Sequence, residues 1–229
     1  MRTIVLLLLS ISLINCEGKK TTKNKAQLET NKIEVKIKSK KKNTSYPRLT
    51  DDNVMEFFQD YDKKHKEKKV RLTTSLGKIE IQLFEETPYH RSNFIYLTKQ
   101  KYFDGTQFYR VINNFMIQGG GTDDYEKSKQ KSKIGKYLLP PDTKKGFKHD
   151  RGTVSMPSGE IFNSYKLASP FEFFIVQQKG GAHHLDGDYT VFGKVTQGMD
   201  VVDKIAAVET DDGDWPLRSV YIIKAEIID

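Results

Sequence analysis

Phe108-Tyr-Arg-Val-Ile-Asn-Asn-Phe-Met-Ile-Gln-Gly-Gly-Gly121 is the stretch on which the fold turns. Its apolar residues are dense and partly alternating, Val and Ile give it β character, and three glycines end it. Among its polar side chains, Arg110 and Gln118 sit within the apolar runs. An arginine held on a strand among aromatics is a fixed fork of hydrogen-bond donors over an apolar floor. From composition alone the simplest account is a core strand with one arginine reaching out to water.

Upstream, Val70-Arg-Leu-Thr-Thr-Ser75, a turn at Gly77 and the cleanly alternating Lys78-Ile-Glu-Ile-Gln-Leu-Phe84 predict a hairpin. Thr87-Pro88 is a cap followed by a first-turn proline, opening a helix through Leu97 with Phe94, Ile95 and Leu97 turned inward. Downstream, Thr122 to Lys148 is polar, contains Pro140-Pro141 and predicts a long loop. Gly152–Met156 and Phe171–Val176 predict strands, separated by a second loop from Pro157 to Pro170. Leu185–Val195 gives a turn and strand, Gly198–Ile205 an amphipathic helix, and Val220–Ile228 a closing strand. Many strands with only two helices point to a mainly β barrel or sandwich.

The run FYRVINNFMIQGG closely resembles the central signature of the cyclophilins, which typically read F-H-R-[IV]-I-x-x-F-M-[IC]-Q-G-G. The order of hairpin, helix and arginine-bearing strand is similar as well. The resemblance covers about residues 70–228 and defines a domain over 69–229. It implies an eight-stranded antiparallel closed β-barrel capped by two helices. It also implies peptidyl-prolyl cis–trans isomerase activity with no cofactor or metal. Carried over position by position, it makes Arg110 the catalytic arginine, Phe115, Met116, Phe174 and Leu185 the proline-pocket walls, and Gln118 the donor to the substrate backbone. Tyr109, Ser158, Glu172 and Tyr189 complete the implied substrate-binding set. Several of these depart from the family pattern. Tyr109 stands where His is usual, Pro157-Ser158-Gly159 replaces Ala-Asn-Ala, and Glu172 replaces Gln. His184 replaces Trp and Tyr189 replaces His. Pro157 offers no N–H, and a carboxylate at Glu172 is placed to pair with Arg110.

The amino-terminal part has a different character. Met1-Arg2 precede an eleven-residue apolar run, Ile4–Ile14, too short to span a bilayer comfortably, followed by Asn15-Cys16. This predicts a secretory signal. Cys16 is the only cysteine, so no intrachain disulfide forms, and its position resembles the lipobox of bacterial lipoproteins, with Asn15 where Gly, Ala or Ser is usual. The expectation over residues 1–16 is therefore a signal peptide with lipidation at Cys16, giving an extracytoplasmic, membrane-anchored protein. A cleaved, secreted soluble form is the alternative.

Residues 17–48 hold eleven Lys or Arg against three Glu, a net +8, whereas the chain from Leu49 onward carries −1. The basic balance thus belongs to the tail, which argues against nucleic acid as a partner. Residues 17–49 are expected to form a lysine-rich disordered linker. Residues 50–66 then carry an accessory amphipathic helix, capped at Thr50, with Val54, Phe57, Phe58 and Tyr61 on one face.

Other constellations are weaker. His183-His184 with Asp186 and Asp188 has no recognised ligand spacing, and Asp211-Asp212 with Asp214 is most simply a solvated turn. Ser155, His149 and an Asp offer a hydrolytic triad without a nucleophile-elbow context. The expected protein is an exported monomeric isomerase acting on X-Pro segments of other polypeptides. A module that binds such segments with little catalysis is the alternative.

Overall fold

The computed structural model describes residues 46–159 and 164–229. The signal-like run, Cys16 and most of the lysine-rich stretch lie outside the described residues. In chain order the elements are β1 (Leu49–Thr50), α1 (Val54–Lys64), β2 (Lys69–Thr74), β3 (Gly77–Leu83), α2 (Pro88–Lys99), β4 (Gln107–Ile112), β5 (Met116–Gly121), α3 (Tyr125–Ile134), β6 (Gly135–Lys136), β7 (Thr153–Ser155), β8 (Phe173–Val176), β9 (Val191–Gln197), α4 (Met199–Ala206) and β10 (Val220–Ile227). Eight strands close into a barrel in the order β10-β2-β3-β9-β7-β8-β5-β4, with β4 returning to β10. Every neighbouring pair is antiparallel. The eight-stranded closed antiparallel barrel implied by the sequence is the fold observed.

Alternation along the strands divides the barrel into an inner and an outer face. Val111, Ile117, Ile175 and Val154 form one row across β4, β5, β8 and β7, and all are buried. Each such side chain contributes roughly 1.5–3 kcal/mol of transfer free energy. Phe173 lies at the centre of the inner face, its ring 5.4–5.9 Å from those of Phe94, Phe103 and Phe108. Helix α2 packs on β9 and β10, and α4 on β3, β4 and β5.

The stretch Phe108–Gly121 is a hairpin rather than one strand. The break falls after Ile112, where Asn114 takes a left-handed backbone (φ 59°) and Phe115 N–H donates to the Ile112 carbonyl. Asparagine tolerates that conformation better than most residues, which is why the turn sits there. A register shift between Phe108 and Arg110 marks a bulge in β4. Phe108 and Val111 are an odd number of residues apart yet both are buried, and the extra residue, Tyr109, makes this geometrically consistent. The bulge therefore turns Arg110 away from the core.

Further differences concern the helices. Among the described residues four helices are present: the two expected on the barrel, α2 and α4, the accessory α1, and an additional one, α3. The polar stretch predicted as a loop contains α3, capped by the Asp124 side chain accepting from Lys127 N–H at 2.8 Å. Only Ile134 of this helix is buried, so it has almost no apolar stripe to read in sequence. The accessory helix begins at Val54, with Asn53 as its cap residue instead of Thr50. Thr87 occupies the predicted cap position of α2, but its hydroxyl donates to the Phe84 carbonyl at 3.4 Å. Helix α1 packs on α2 through buried Val54, Phe58 and Tyr61, with Phe57 and Tyr46 stacking edge-on to Tyr96. Leu49 is fully buried and β1 pairs with β6, so the last residues ahead of the helix belong to the folded unit.

Candidate active site

Directly opposed residues in an antiparallel ladder share a face. Arg110 opposes Gln118, Gln118 opposes Phe174, and Phe174 opposes Ser155, giving a row across β4, β5, β8 and β7 on the outside of the barrel. The next outward row is Ile112, Met116 and Val176. Met116, Phe174, Val176 and Ala182 form a second hydrophobic cluster, distinct from the core, with Ile112, Phe115, Leu185 and Tyr189 packed against it. Apolar residues on an outer barrel face need a cover, and residues 177–189 supply most of it. What remains open is a cavity of about 420 Å³ lined by Tyr109, Arg110, Phe115, Met116, Gln118, Pro157, Ser158, Phe174, Leu185 and Tyr189.

The covering segment is tied down by one buried histidine. Asp186 Oδ1 accepts from His149 N–H at 2.7 Å and lies 2.8 Å from His149 Nδ1, while Asp186 Oδ2 lies 3.1 Å from His183 Nδ1. The His149 ring stacks on Phe174, with centroids 5.9 Å apart, and Tyr189 stands edge-on to both. Burial lowers the His149 pKa despite the Asp186 carboxylate, so the imidazole is neutral near pH 7. Burial also acts to raise Asp186, but the hydrogen bonds from His149 and His183 outweigh it and hold the carboxyl below its ordinary value. Leu185 closes a 3₁₀ turn, His183–Leu185, in this segment, and His184 lies over Phe115 with ring centroids 5.4 Å apart. Among the described residues no group of three His, Cys, Asp or Glu side chains is placed to hold a metal ion. Ser155 Oγ makes no hydrogen bond to His149, so these residues do not assemble a triad.

At the other end of the cavity Tyr109, Gln118 and Glu172 form a closed polar network. Tyr109 OH donates to Glu172 Oε2 at 2.6 Å, and Gln118 Nε2 donates to the same oxygen at 3.3 Å and to Tyr109 OH. Burial and the Glu172 carboxylate push the Tyr109 phenol far up, so it remains a donor. Gly121 makes room for this ring, since a Cβ there would lie 2.3 Å from Tyr109 Cδ1. Gly120 holds φ +96°, and its Cβ would meet the Phe171 carbonyl at 2.2 Å. Two of the glycines that close the signature are thus required by the site's geometry.

The expectation that Glu172 pairs with Arg110 is not met. Arg110 Nε instead donates to Asp214 Oδ2 at 3.3 Å, and the Asp211–Asp214 turn is therefore not merely solvated. Of the ten residues implied by resemblance to form the site, nine line the cavity, and Glu172 stands behind Tyr109 and Gln118. Cys16, the expected lipidation site, lies outside the described residues. Sequence reasoning missed Asp214, Trp215 and the His149–Asp186 tie. The Trp215 ring lies 5.6 Å from that of Tyr109.

The family model for cyclophilin-type peptidyl-prolyl cis-trans isomerases matches residues 69–227. The chain belongs to the cyclophilin family. Among curated relatives it is 37% identical over 164 residues to a peptidyl-prolyl cis-trans isomerase of Acinetobacter baylyi, covering 69% of this chain and 84% of the relative. It is 38% identical over 164 residues to peptidyl-prolyl cis-trans isomerase-like 2 of Rhizopus delemar, covering 71% of this chain but only 29% of that larger relative. Among solved structures, a cyclophilin-type isomerase of Cryptosporidium parvum crystallised in the presence of the dipeptide Ala-Pro is similar with a TM-score of 0.59 and 26% identity. The likeness covers 70% of this chain and 99% of that one. The cyclophilin barrel accounts for both the closed sheet and the outward-facing Arg110 row.

Proposed function

We propose that this cyclophilin accelerates cis–trans isomerisation of X-Pro bonds through Arg110, on the segments of exported proteins as they fold. Rotating an X-Pro amide means breaking its resonance, a barrier of roughly 18–20 kcal/mol, with no bond made or lost. A catalyst needs a surface that binds the twisted amide better than either planar form. The prolyl nitrogen gains a lone pair only when resonance is lost, so a donor aimed at it acts in the transition state alone. Arg110 is a permanently charged donor that cannot serve as an acid near neutral pH. Phe115, Met116, Phe174 and Leu185 hold the proline ring, and Gln118 holds a substrate carbonyl.

The observation that carries this reading is the position of Arg110 on the rim of the apolar cavity. Its Nε is engaged by Asp214, and among the described residues its two terminal nitrogens carry no hydrogen bond. The relative crystallised with Ala-Pro supports an X-Pro ligand for the same groove. The test is exchange spectroscopy on an Ala-Pro peptide: the wild-type chain should speed exchange, and Arg110→Ala should lower kcat/KM by about 10²-fold, the scale for removing one preorganised donor. Equal exchange rates with and without wild-type protein would refute it.

One observation favours weaker catalysis, with the groove serving as a binding or chaperone module. Gln118 Nε2 is occupied by Tyr109 and Glu172, so a substrate carbonyl must compete for it. Peptide binding without faster exchange would select that alternative.

The amino-terminal pattern supports export and anchoring through a lipid on Cys16, with the barrel held monomeric at a membrane surface. Cys16→Ser should release the chain from the membrane fraction, whereas an unanchored secreted form would be soluble with or without Cys16.

A further inference from the structure

Between α4 and β10 the chain makes a tight excursion, residues 207–219. Thr210 bridges Pro216, Leu217 N–H donates to the Glu209 carbonyl at 2.9 Å, and Asp211 N–H to the Trp215 carbonyl at 2.9 Å. Inside this neck Asp211 Oδ1 accepts from both Gly213 N–H and Trp215 N–H, each at 2.9 Å. The tip is therefore built from its own backbone, and Asp214 sits on it with a left-handed φ of 66°.

The tip is docked on the catalytic strand. β10 pairs with β4 only at Phe108 and Gln107, and further along Val111 N–H donates instead to the Asp214 carbonyl at 2.9 Å. The excursion thus takes over as the neighbour of β4 beside Arg110. It brings two side chains with it. Asp214 Oδ2 accepts from Arg110 Nε at 3.3 Å, and the Trp215 ring, 47% exposed, leans on Tyr109 of the cavity wall.

We propose that this excursion is a working wall of the groove: Asp214 is the positioning residue for Arg110, and Trp215 receives a peptide residue flanking the proline. The inference rests on the isomerase reading above. Arg110 is 44% exposed and long, so without a partner its guanidinium samples many rotamers. Asp214 engages the Nε–H, which fixes the plane of the fork while leaving the four terminal N–H groups free to face the prolyl nitrogen. A contact through a terminal nitrogen would have taken the donor the reaction needs. Trp215 extends the ring surface of the cavity wall past Tyr109.

The experiment uses the full chain, an Ala-Ala-Pro-Ala tetrapeptide and the variant Asp214→Asn. Asparagine keeps the left-handed backbone and the size of the side chain but removes the charge. The expected result is a fall in kcat of about five- to tenfold with KM within twofold, the signature of losing transition-state alignment while ground-state binding is retained. The difference from wild type should shrink as salt is raised, because the pair is exposed to screening, and the Tm should stay unchanged. A merely structural role would move the Tm and leave the ratio of kcat to KM alone. Wild-type kcat in Asp214→Asn at low salt overturns the positioning role. No acceleration by the wild-type chain overturns the isomerase reading itself, and Asp214's role with it. Trp215 supplies a second readout, as it is the chain's single tryptophan. Its emission should shift on titration with the tetrapeptide and saturate near the KM. Emission that stays constant through saturation overturns Trp215 as part of the groove.

Discussion

The two sides of the groove are built differently. One side is the ladder of β4, β5 and β8, where Arg110, Gln118 and Phe174 stand in register because backbone hydrogen bonds put them there. The other side is made of chain that follows no ladder: Pro157 and Ser158 and the 183–189 segment held by His149, with the 207–219 excursion, held by its own turn, as the wall proposed beside Arg110. The ladder side keeps the family's residues, whereas the loop side carries most of the departures. A ladder position is constrained by the strands on either side of it, so a change there disturbs the sheet and the core behind it. A loop position is constrained mainly by its own ties, and can be altered without unfolding anything.

That contrast can be broken at the ladder first. Phe174 belongs to β8 and also floors the cavity, packed under His149 and Tyr189. Phe174→Ala should cost about 3–5 kcal/mol in urea unfolding, the usual range for a buried phenylalanine, and should abolish exchange activity as well. A stable variant would mean that the outer cluster contributes little to the fold.

A smaller effect separates the loop side. His149 and the fully buried His90 both have pKa values below the ordinary 6.5, His90 to about 3, chiefly because burial disfavours the charged ring. Above pH 6.5 both are neutral folded and unfolded, and the stability is fully present. As the pH falls below 6.5 the unfolded chain binds protons that the folded chain refuses, so stability drops by up to about 1.4 kcal/mol per pH unit for each ring. His149→Gln should remove the His149 share of that slope between pH 6.5 and 5, leaving the share of His90 and of His65, whose pKa burial also lowers. An unchanged slope would show that His149 titrates normally and does not hold the 183–189 wall as a neutral ring.

The smallest effect concerns Glu172. Glu172→Gln replaces the carboxylate that Tyr109 and Gln118 share with a neutral amide oxygen, loosening the hold on the Gln118 amide that a substrate must compete with. The rise in kcat/KM should be about threefold, matching a partly exposed polar contact worth less than ~1 kcal/mol. A fall would mean that the network orders Gln118 productively.

What was legible in the sequence follows the same division. Period-two alternation disclosed the strands, and the FYRVINNFMIQGG run disclosed the residues that the ladder holds in register. The bulge at Tyr109 was not legible, because an extra residue in one strand is visible only against its partner. Helix α3 was hidden by its own surface, since ten residues rich in lysine and serine bury only Ile134. Asp214 was hidden for a different reason: it lies 104 positions from Arg110, and nothing local distinguishes a solvated acidic turn from one docked on a strand.

The central claim is that the groove stabilises a twisted X-Pro amide through Arg110, beyond merely holding the peptide. The most direct measurement is exchange spectroscopy on an Ala-Pro peptide with wild type and Arg110→Ala, with peptide affinity read in the same samples. The account predicts faster exchange with wild type, about 10²-fold less acceleration with Arg110→Ala, and affinities within a few-fold of each other. Equal acceleration by the two proteins, or no acceleration by wild type at full occupancy, would contradict it.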